Sequence, residues 1–397
     1  MSRRRFLGYG RQCIDQSDID AVVSVLKSDF LTQGPLVEKF EAALAERVDV
    51  RHAVAVSSGT AALHISCLAA GIGTGDLGLT SAITFAASAN CLIYAGGEAG
   101  FVDIDGATLG MSPTALKRAL QRSPAVKAII PVDLAGLADA AEDIRTLANG
   151  RLVIEDAAHA IGGHYPSGKP IGSCAYSDLT IFSFHPVKLI TAGEGGAVLT
   201  NDPELARRLR LLRSHGIERD AAHFVGNETQ EDGRVKPWRG EQQLLGFNYR
   251  MTDIQAALGL SQLARLDRFL ERRRAIARCY DEAFAALPGI HLPQASPRQR
   301  ARSGHHLYIA VFDFATMGTT RTAFMARLAA QGIGSQVHYM PVYHHPYHAQ
   351  RSAIDRSEFP EAEHYYAGCL SLPFHAGLTD EEVEYVIAVV TELVSAA

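Results

Sequence analysis

Two strand-like segments in the middle of the chain end in groups that could do covalent chemistry. The first, residues 153–156, ends on Asp156, and the second ends near Ser183 and is followed by Lys188. The carboxyl ends of parallel strands meet at one edge of a sheet, where α/β proteins bind their ligands. A buried aspartate is costly to ionise unless a cation meets it. The spacing therefore predicts a site in which Lys188 is an amine nucleophile and Asp156 faces a cationic group.

A third segment has the composition of an anion site. Residues 57–61, Ser-Ser-Gly-Thr-Ala, follow an apolar strand and open a helix. Backbone N–H groups and the helix dipole at such a position bind phosphate. The glycine-rich run 193–196, shortly after Lys188, lets backbone approach closely whatever the lysine holds.

Pyridoxal phosphate requires these three features together. Its aldehyde condenses with a lysine amine, its ring nitrogen needs a carboxylate, and its phosphate needs N–H and hydroxyl donors. We therefore predict a pyridoxal-phosphate site, and no metal. The His-rich stretch 344–348 lacks an acidic or cysteine partner at ligand spacing. Residues 163–169 resemble a phosphate-binding P-loop, but Pro170 replaces its Ser or Thr, so we interpret them as a surface turn.

Short apolar runs alternate with helical stretches up to about residue 250, which predicts an α/β fold with a mostly parallel sheet covered on both faces. The first helix is predicted to start near Ser17 or Asp18, with an apolar face that includes Ile19 and Leu26, and a second to start at Pro35. The predicted strands are Ala53–Val56, Gly100–Ile104, Ala128–Val132, Leu152–Ile154, Leu179–Phe184 and Ala197–Thr200.

The pattern changes beyond Thr252 and predicts a smaller α+β domain. We therefore divide the chain into a large cofactor-binding domain with an N-terminal arm, residues 1–250, and a small C-terminal domain, residues 251–397. The elements predicted there are one long helix at Ile254–Leu270, a strand at His306–Phe312, a helix at Phe324–Gly332, a strand at Gln336–Tyr339 and a last helix at Asp380–Leu393.

The amino-acid composition limits the classes of molecule that the protein is expected to bind. Lys and Arg total 38 against 43 Asp and Glu, a formal charge of −5, which disfavours nucleic acid or anionic lipid as a partner. No apolar run approaches the ~18 residues of a membrane span. The six cysteines are scattered without a C-x-x-C pair, which is typical of a reducing compartment. We expect a cytoplasmic protein.

The motifs resemble those of the DegT/DnrJ/EryC1 family of sugar aminotransferases over nearly the whole chain. The resemblance implies the fold-type I architecture of pyridoxal-phosphate-dependent transferases, similar to aspartate aminotransferase. It also implies a homodimer with shared active sites, because Asn248 and Arg250 match residues that reach the neighbouring subunit. The matching segments include residues 31–35, 57–61, 84–85, 155–159, 183–188, 193–196, 246–253 and 337–339.

Within the family, the chain looks most like the branch that works in pseudaminic-acid biosynthesis. Val132-Asp133-Leu-Ala-Gly136 carries part of this likeness, since many relatives have His in place of Asp133. The resemblance implies transfer of the amino group of L-glutamate to C4 of a UDP-4-keto-6-deoxy-N-acetylhexosamine. A 4-aminotransferase for another nucleotide ketosugar, such as a UDP D-sugar or a substrate of the GDP-perosamine type, remains an alternative. A non-catalytic cofactor-binding protein is another.

The resemblance also implies roles for individual residues. Lys188 matches the lysine that forms the Schiff base, and it is retained where dehydrating relatives carry His. Asp156 matches the partner of the ring nitrogen. His159 matches the partner of the ring hydroxyl, and Phe85 and Ala158 match the residues on either side of the ring. The phosphate-binding positions match Gly59, Thr60, Ala61 and Ser183, with Asn248 also placed at the cofactor. Toward the sugar nucleotide, the resemblance implies Tyr9, Leu31, Arg250, His338 and Tyr339.

Overall fold

The computed structural model describes residues 5–226, 230–231, 234–351 and 354–396. Its largest sheet has seven strands in the order β1-β7-β6-β5-β4-β2-β3. Its strands are His52–Val56 (β1), Leu77–Ser81 (β2), Glu98–Val102 (β3), Val126–Ile130 (β4), Leu152–Asp156 (β5), Leu179–Ser183 (β6) and Gly196–Thr200 (β7).

The sheet is mostly parallel, as the alternation of strands and helices predicts. Only β7 runs against its neighbours, β1 and β6, while β3, β2, β4, β5 and β6 are parallel in turn. The sequence analysis missed β2, whose glycine and hydroxyl residues break the apolar run. Gly78 is needed there, because a Cβ at this position would lie 2.3 Å from a methyl carbon of Leu92.

Helices cover both faces of this sheet. One face is packed by α2, α8 and α9 and the other by α3, α4 and α7. The helices are Gln16–Leu26 (α1), Pro35–Val48 (α2), Gly59–Ala69 (α3), Ala87–Tyr94 (α4), Pro113–Arg122 (α5), Ala141–Ala148 (α6), Pro203–Arg213 (α7), Asp253–Leu263 (α8), Leu266–Phe284 (α9), Pro297–Arg302 (α10), Arg321–Ala330 (α11), Pro346–Ala349 (α12), Pro360–Gly368 (α13) and Asp380–Ser395 (α14).

Helix α1 begins where predicted, but its apolar face is the exposed one. Ile19 and Leu26 are 48% and 56% exposed, and Phe30 just beyond the helix is 54% exposed. The opposite face packs on α8, where the buried Asp18 carboxylate accepts from Gln262 Nε2 at 2.7 Å. The amphipathic pattern predicted for α1 is therefore present, yet none of the described residues of the chain buries its apolar side.

Two elements predicted in the C-terminal part are wrong. The single helix expected at Ile254–Leu270 is divided into α8 and α9, with Arg265 between them reaching the carboxylates of Asp15 and Asp18. Apolar spacing continues across this break, so periodicity could not reveal it.

The strand expected at Gln336–Tyr339 is also absent from the described structure. Only Gln336 forms a bridge, with Ser371. Further on, the Val342 amide donates to the carbonyl of Ala82 at 3.0 Å, so this segment turns toward the large sheet instead of extending as a strand.

The smaller sheet, in the order β12-β13-β14, packs against α9, α11 and α14. Leu7 from the N-terminal arm joins this core. The division at residue 250 stays a prediction. The remaining strands are Ile217–Glu218 (β8), Gln230–Glu231 (β9), Arg234–Val235 (β10), Glu241–Gln242 (β11), Ile290–His291 (β12), Tyr308–Phe312 (β13) and Cys369–Leu372 (β14). Within the ranges described, no helix is long and apolar enough to span a membrane.

Candidate active site

Adjacent parallel strands place the two principal side chains at one sheet edge. Asp156 is the last residue of β5 and Ser183 the last of β6, and the strands pair with Asp156 opposite Ile181. The chain then turns, with the Lys188 amide donating to the His185 carbonyl at 2.9 Å. Both Asp156 and Lys188 line a cavity of about 780 Å³.

Most of the predicted site residues line this one cavity, and the rest lie outside it. Those that line it are Tyr9, Gly59, Thr60, Phe85, Asp156, Ala158, His159, Ser183, Lys188, His338 and Tyr339. Those outside its lining are Leu31, Ala61, Asn248 and Arg250. The structure therefore brings eleven of the predicted residues together at one cavity and leaves four outside its lining.

Lys188 and Asp156 influence one another electrostatically. Burial lowers the pKa of the Lys188 ammonium to about 8, and the Asp156 carboxylate opposes that shift. Burial likewise raises the pKa of Asp156, while hydrogen bonds and the charge of Lys188 act in the other direction. An amine with a pKa of about 8 is partly neutral near physiological pH, which is the form that attacks an aldehyde.

Asp156 is held through both of its oxygens. The Ser88 hydroxyl donates to Oδ2 at 2.6 Å, and the Ala158 amide donates to Oδ1 at 3.2 Å. Ser88 in turn lies 2.8 Å from the Thr84 hydroxyl. The sequence analysis did not identify Ser88. The sequence feature that could have pointed to Ser88 is a hydroxyl residue one helical turn after Thr84-Phe85, among otherwise apolar residues at the beginning of a helix.

At the end of the cavity that is predicted to bind phosphate, backbone segments lie unusually close to one another. The side chain of the N-cap Ser58 accepts from the Ala61 amide at 3.1 Å, so the Ala61 N–H already has a partner, while Gly59 and Thr60 line the cavity. A Cβ on Gly59 would lie 2.9 Å from the Cβ of Ser183. A Cβ on Gly196 would lie 2.5 Å from the Ser58 carbonyl oxygen. These two glycines bring the anion donors together.

These residues fit pyridoxal phosphate. A helix N-terminus and a serine hydroxyl suit its phosphate. The partly neutral Lys188 suits its aldehyde, and the buried carboxylate of Asp156 suits its ring nitrogen. Phe85 is 61% exposed on the cavity side, where it can cover one face of a bound ring.

Neutral histidines line one wall of the cavity. Burial, with the charges of Lys188 and His338, holds the pKa of His159 well below its usual range. Its Nδ1 accepts from the Ala135 amide at 3.3 Å, which leaves the proton on Nε2, 3.4 Å from the Tyr339 hydroxyl. The His306 ring is tilted by 49° to that of His159, with the ring centroids 4.3 Å apart. His306 also lines the cavity, although it was not among the predicted site residues.

Behind the cavity floor, two buried carboxyl groups share an environment. Glu155 accepts from the hydroxyls of Tyr165, at 2.6 Å, and Thr180, at 2.8 Å. Burial and the neighbouring charges of Glu155 and Asp156 raise the pKa of Asp133 well above its usual range. Burial thus favours the protonated form of Asp133, which can donate to Glu155.

The histidines of the 344–348 stretch have protein partners or face the cavity. His344 Nε2 lies 2.7 Å from a Glu363 oxygen, and His348 Nε2 lies 3.1 Å from the Asn90 side-chain oxygen. His345 lines the cavity. Among the residues that the structure describes, no group of three His, Cys, Asp or Glu side chains could hold a metal.

Of the four predicted residues outside the cavity, Ala61 is buried in α3, and the other three are exposed or partly exposed. Leu31 is 48% exposed. Its carbonyl accepts from the Asp253 amide at 3.0 Å. Asn248 forms a bridge with Ser214, whose hydroxyl accepts from Arg250 Nη1 at 3.0 Å. None of these side chains contributes to the cavity of its own chain.

Sequence comparison finds relatives along the whole chain. Residues 12–391 match the DegT/DnrJ/EryC1/StrS aminotransferase family. The Spore coat polysaccharide biosynthesis protein SpsC of Bacillus subtilis is 38% identical over 398 residues, covering 100% of this chain and 99% of the relative. A UDP-4-amino-4,6-dideoxy-N-acetyl-β-L-altrosamine transaminase of Campylobacter jejuni is 36% identical over 380 residues, or 95% of each protein.

Solved structures agree in fold. Helicobacter pylori PseC, described as an aminotransferase involved in the biosynthesis of pseudoaminic acid, superimposes with a TM-score of 0.88 and 31% identity. The match covers 99% of this chain and 100% of that one. The sugar aminotransferase Spr1654 of Streptococcus pneumoniae, described as putative and solved in its PMP form, gives a TM-score of 0.86 at 28% identity, covering 98% of each chain.

Proposed function

The chain belongs to the DegT/DnrJ/EryC1/StrS aminotransferase family and is a pyridoxal-phosphate-dependent sugar aminotransferase, and from that premise we propose its substrates. They are L-glutamate and UDP-2-acetamido-2,6-dideoxy-β-L-arabino-hexos-4-ulose. The products are 2-oxoglutarate and UDP-4-amino-4,6-dideoxy-N-acetyl-β-L-altrosamine, an intermediate of pseudaminic-acid biosynthesis. The observation that carries this proposal is the 36% identity, over 95% of both chains, to a transaminase named for that product.

Lys188 is the residue that does the chemistry in this proposal. The cofactor, when bound, supplies an aldehyde that takes up the amino group and a ring that accepts the electron pair left when a proton leaves carbon. Lys188 binds it and then moves a proton to or from C4 of the sugar as general acid and base. A pKa of about 8 suits that task, because the amine can both give and accept a proton near neutral pH.

Asp156 and His159 orient the ring and hold its protons. The Asp156 carboxylate, fixed by Ser88 and Ala158, holds a proton on the ring nitrogen. His159 carries its proton on Nε2 and can donate it to the ring hydroxyl. Gly59, Thr60 and Ser183, which line the same cavity as Lys188, would bind the phosphate.

We propose a homodimer with two shared active sites. The cavity of one chain lacks Leu31, Asn248 and Arg250, although the family resemblance gives all three a place at the site. The exposed apolar side of α1 and the exposed Leu31 support burial against a second copy. Arg250 of the second copy would supply a guanidinium for the anionic substrate, since Lys188 is the cavity's lysine and no arginine of the described residues lines it.

We also place the reaction in the cytoplasm. The cysteines in the described ranges, including the two on the neighbouring helices α3 and α4, Cys67 and Cys91, are all free thiols. Free thiols that persist in this number are typical of a reducing compartment.

A second candidate substrate is another nucleotide ketosugar. The 38% identity to SpsC, which is named for spore coat polysaccharide biosynthesis, favours it. A UDP D-sugar or a GDP-4-keto-6-deoxymannose would require the same cofactor chemistry, and only the contacts around Tyr9 and His338 would differ.

The test is to incubate the purified protein with L-glutamate and each ketosugar in turn and to identify the product by NMR. We expect the 4-amino sugar from the L-arabino ketosugar, with rates for the D-sugar and GDP substrates at least about tenfold lower. A higher rate with either of the others would transfer the proposal to that substrate. No conversion of any of them, with glutamate still deaminated, would reject nucleotide ketosugars as substrates.

A further inference from the structure

We propose that Ser88, with Thr84 behind it, is a positioning residue that keeps Asp156 ionised and turned toward the ring nitrogen of the cofactor. This inference rests on the role of Asp156 proposed above. It concerns a hydroxyl that does not line the cavity and that no motif of the sequence singled out.

The contacts assign a direction to the hydrogen bonds. An ionised Asp156 can only accept, so the Ser88 hydroxyl must donate its one proton to Oδ2, across 2.6 Å. That proton is then unavailable to Thr84, and the Thr84 hydroxyl must therefore donate to Ser88 across their 2.8 Å separation. The result is an ordered chain, Thr84 to Ser88 to Asp156, in which each donor strengthens the next bond.

Burial makes this chain important. Ser88 is 0% exposed and Asp156 is 6% exposed. Burial raises the pKa of Asp156, and the Ser88 hydroxyl is the largest opposing influence, ahead of the Ala158 amide and Lys188. A hydrogen bond to a charged group stabilises that charge more than a neutral pair does. Loss of Ser88 would therefore favour the protonated carboxyl, which cannot stabilise a protonated ring nitrogen.

The other titratable groups around Asp156 do not replace Ser88. Lys188, beyond β6, faces it from the cavity and lowers its pKa. Asp133, whose pKa burial raises, lies beyond β4, and the thiol of Cys91 is on α4. Tyr339 reaches the cavity from the C-terminal part, and burial and the charge of Asp156 raise its pKa. None of these four donates a hydrogen bond to the carboxylate in the described structure.

Helix α4 links this hydroxyl to the ring-covering residue. Phe85 lines the cavity and precedes the helix, and the Ser88 hydroxyl lies 3.4 Å from the Phe85 carbonyl. The same short segment therefore positions Phe85, which can cover a face of the cofactor ring, and the Ser88 hydroxyl, which orients the Asp156 carboxylate toward the ring nitrogen.

The experiment uses the full-length holoenzyme reconstituted with pyridoxal phosphate labelled with ¹⁵N in the ring. The ¹⁵N chemical shift reports ring protonation directly as the pH is varied, without any turnover. The variants are Ser88→Ala and Ser88→Thr, which keeps a hydroxyl. Ser66→Ala is the matched control, because Ser66 is also 0% exposed on the adjacent helix but donates only to a backbone carbonyl, that of Ala62 at 2.7 Å.

We expect Ser88→Ala to lower the pKa of the bound ring nitrogen by at least about one pH unit and to weaken cofactor binding about tenfold. Ser88→Thr should restore most of the shift, and Ser66→Ala should match the wild type. If Ser88→Ala does not fold, Thr84→Val tests the same chain and should produce a smaller shift in the same direction.

An unchanged ring titration in Ser88→Ala, or in Thr84→Val where that variant is used, would overturn the inference while leaving the aminotransferase function intact. A wild-type protein that binds the cofactor without attaching it to Lys188 would instead remove the proposed function. The two failures are therefore distinguishable in one set of samples.

Discussion

The inner and outer ends of the site differ in how much of them one chain completes. The inner end, Ser88, Asp156, Ser183 and Lys188, is built from strand ends and a helix start that bond to one another. The outer end, Leu31, Phe85, Asn248 and Arg250, is exposed or outside the cavity of its own chain. Under the proposed function, one chain supplies most of the cofactor contacts, whereas Asn248 and the contacts to the substrate at Leu31 and Arg250 would come from a second copy.

Replacement of Lys188 should break the inner end completely. Lys188→Ala removes the amine that holds the cofactor and moves the proton at C4, and we expect activity to fall by more than about 10⁴-fold. The measurement is turnover with glutamate and ketosugar. Lys169→Ala, on an exposed turn, is the control and should retain wild-type activity. Wild-type turnover by Lys188→Ala would refute the assignment.

Replacement of Asp156 should damage the inner end less severely. Asp156→Asn keeps the shape but removes the charge opposite the ring nitrogen, so we expect the single-turnover reaction with glutamate to slow about 100-fold. Cofactor should also dissociate more readily on dialysis. Single-turnover rates and cofactor retention equal to those of the wild type would contradict the role of Asp156.

Replacement of Arg250 tests whether the outer end belongs to the partner. Arg250→Ala should raise the KM for the ketosugar about tenfold, since a charge-assisted contact to an anion is lost. Cofactor binding should stay within about twofold, because the inner end of each chain is intact.

Mixing Arg250→Ala with Lys188→Ala sharpens this test. At ketosugar concentrations well below the KM, where Arg250→Ala retains about a tenth of the wild-type rate, subunit exchange should form heterodimers with one complete site. These should restore about a quarter of wild-type activity if the sites are shared. No recovery after verified exchange would place Arg250 outside the partner's site.

The smallest effect is expected from replacement of Asp133, which lies behind the cavity floor and affects how stability depends on pH. Burial raises the folded-state pKa of Asp133 above its ordinary 3.8, so the folded protein binds more protons than the unfolded chain above that pH. Stability is therefore lost as the pH rises through this window. Asp133→Asn keeps a donor for Glu155 but does not titrate. The free energy of unfolding of this variant should therefore fall less steeply with rising pH than that of the wild type, the two slopes differing by up to about 1.4 kcal/mol per pH unit. Urea unfolding at several pH values measures this slope, and a slope equal to that of the wild type would show that Asp133 is ionised when folded.

The features that could be predicted from the sequence are those that short segments of the chain determine. Lys188, Asp156 and Gly59 each come after a strand that can be recognised from a short apolar stretch of sequence. Because strands and helices alternate, the ends of these strands are expected at the same edge of the sheet. The divided helix at Arg265 and the turned segment at Gln336 depend on contacts between residues far apart in sequence, such as Arg265 with Asp18. Ser88 was missed for that reason too, because its significance comes from a carboxylate on another strand.

The attachment of the cofactor to Lys188 is the central claim, and peptide mapping after borohydride reduction tests it most directly. The protein is incubated with pyridoxal phosphate, reduced, digested and analysed by mass spectrometry. The account predicts one stable pyridoxyl group, located on Lys188, that glutamate removes if added before reduction. A group found on another lysine, or no group at saturating cofactor, would contradict it.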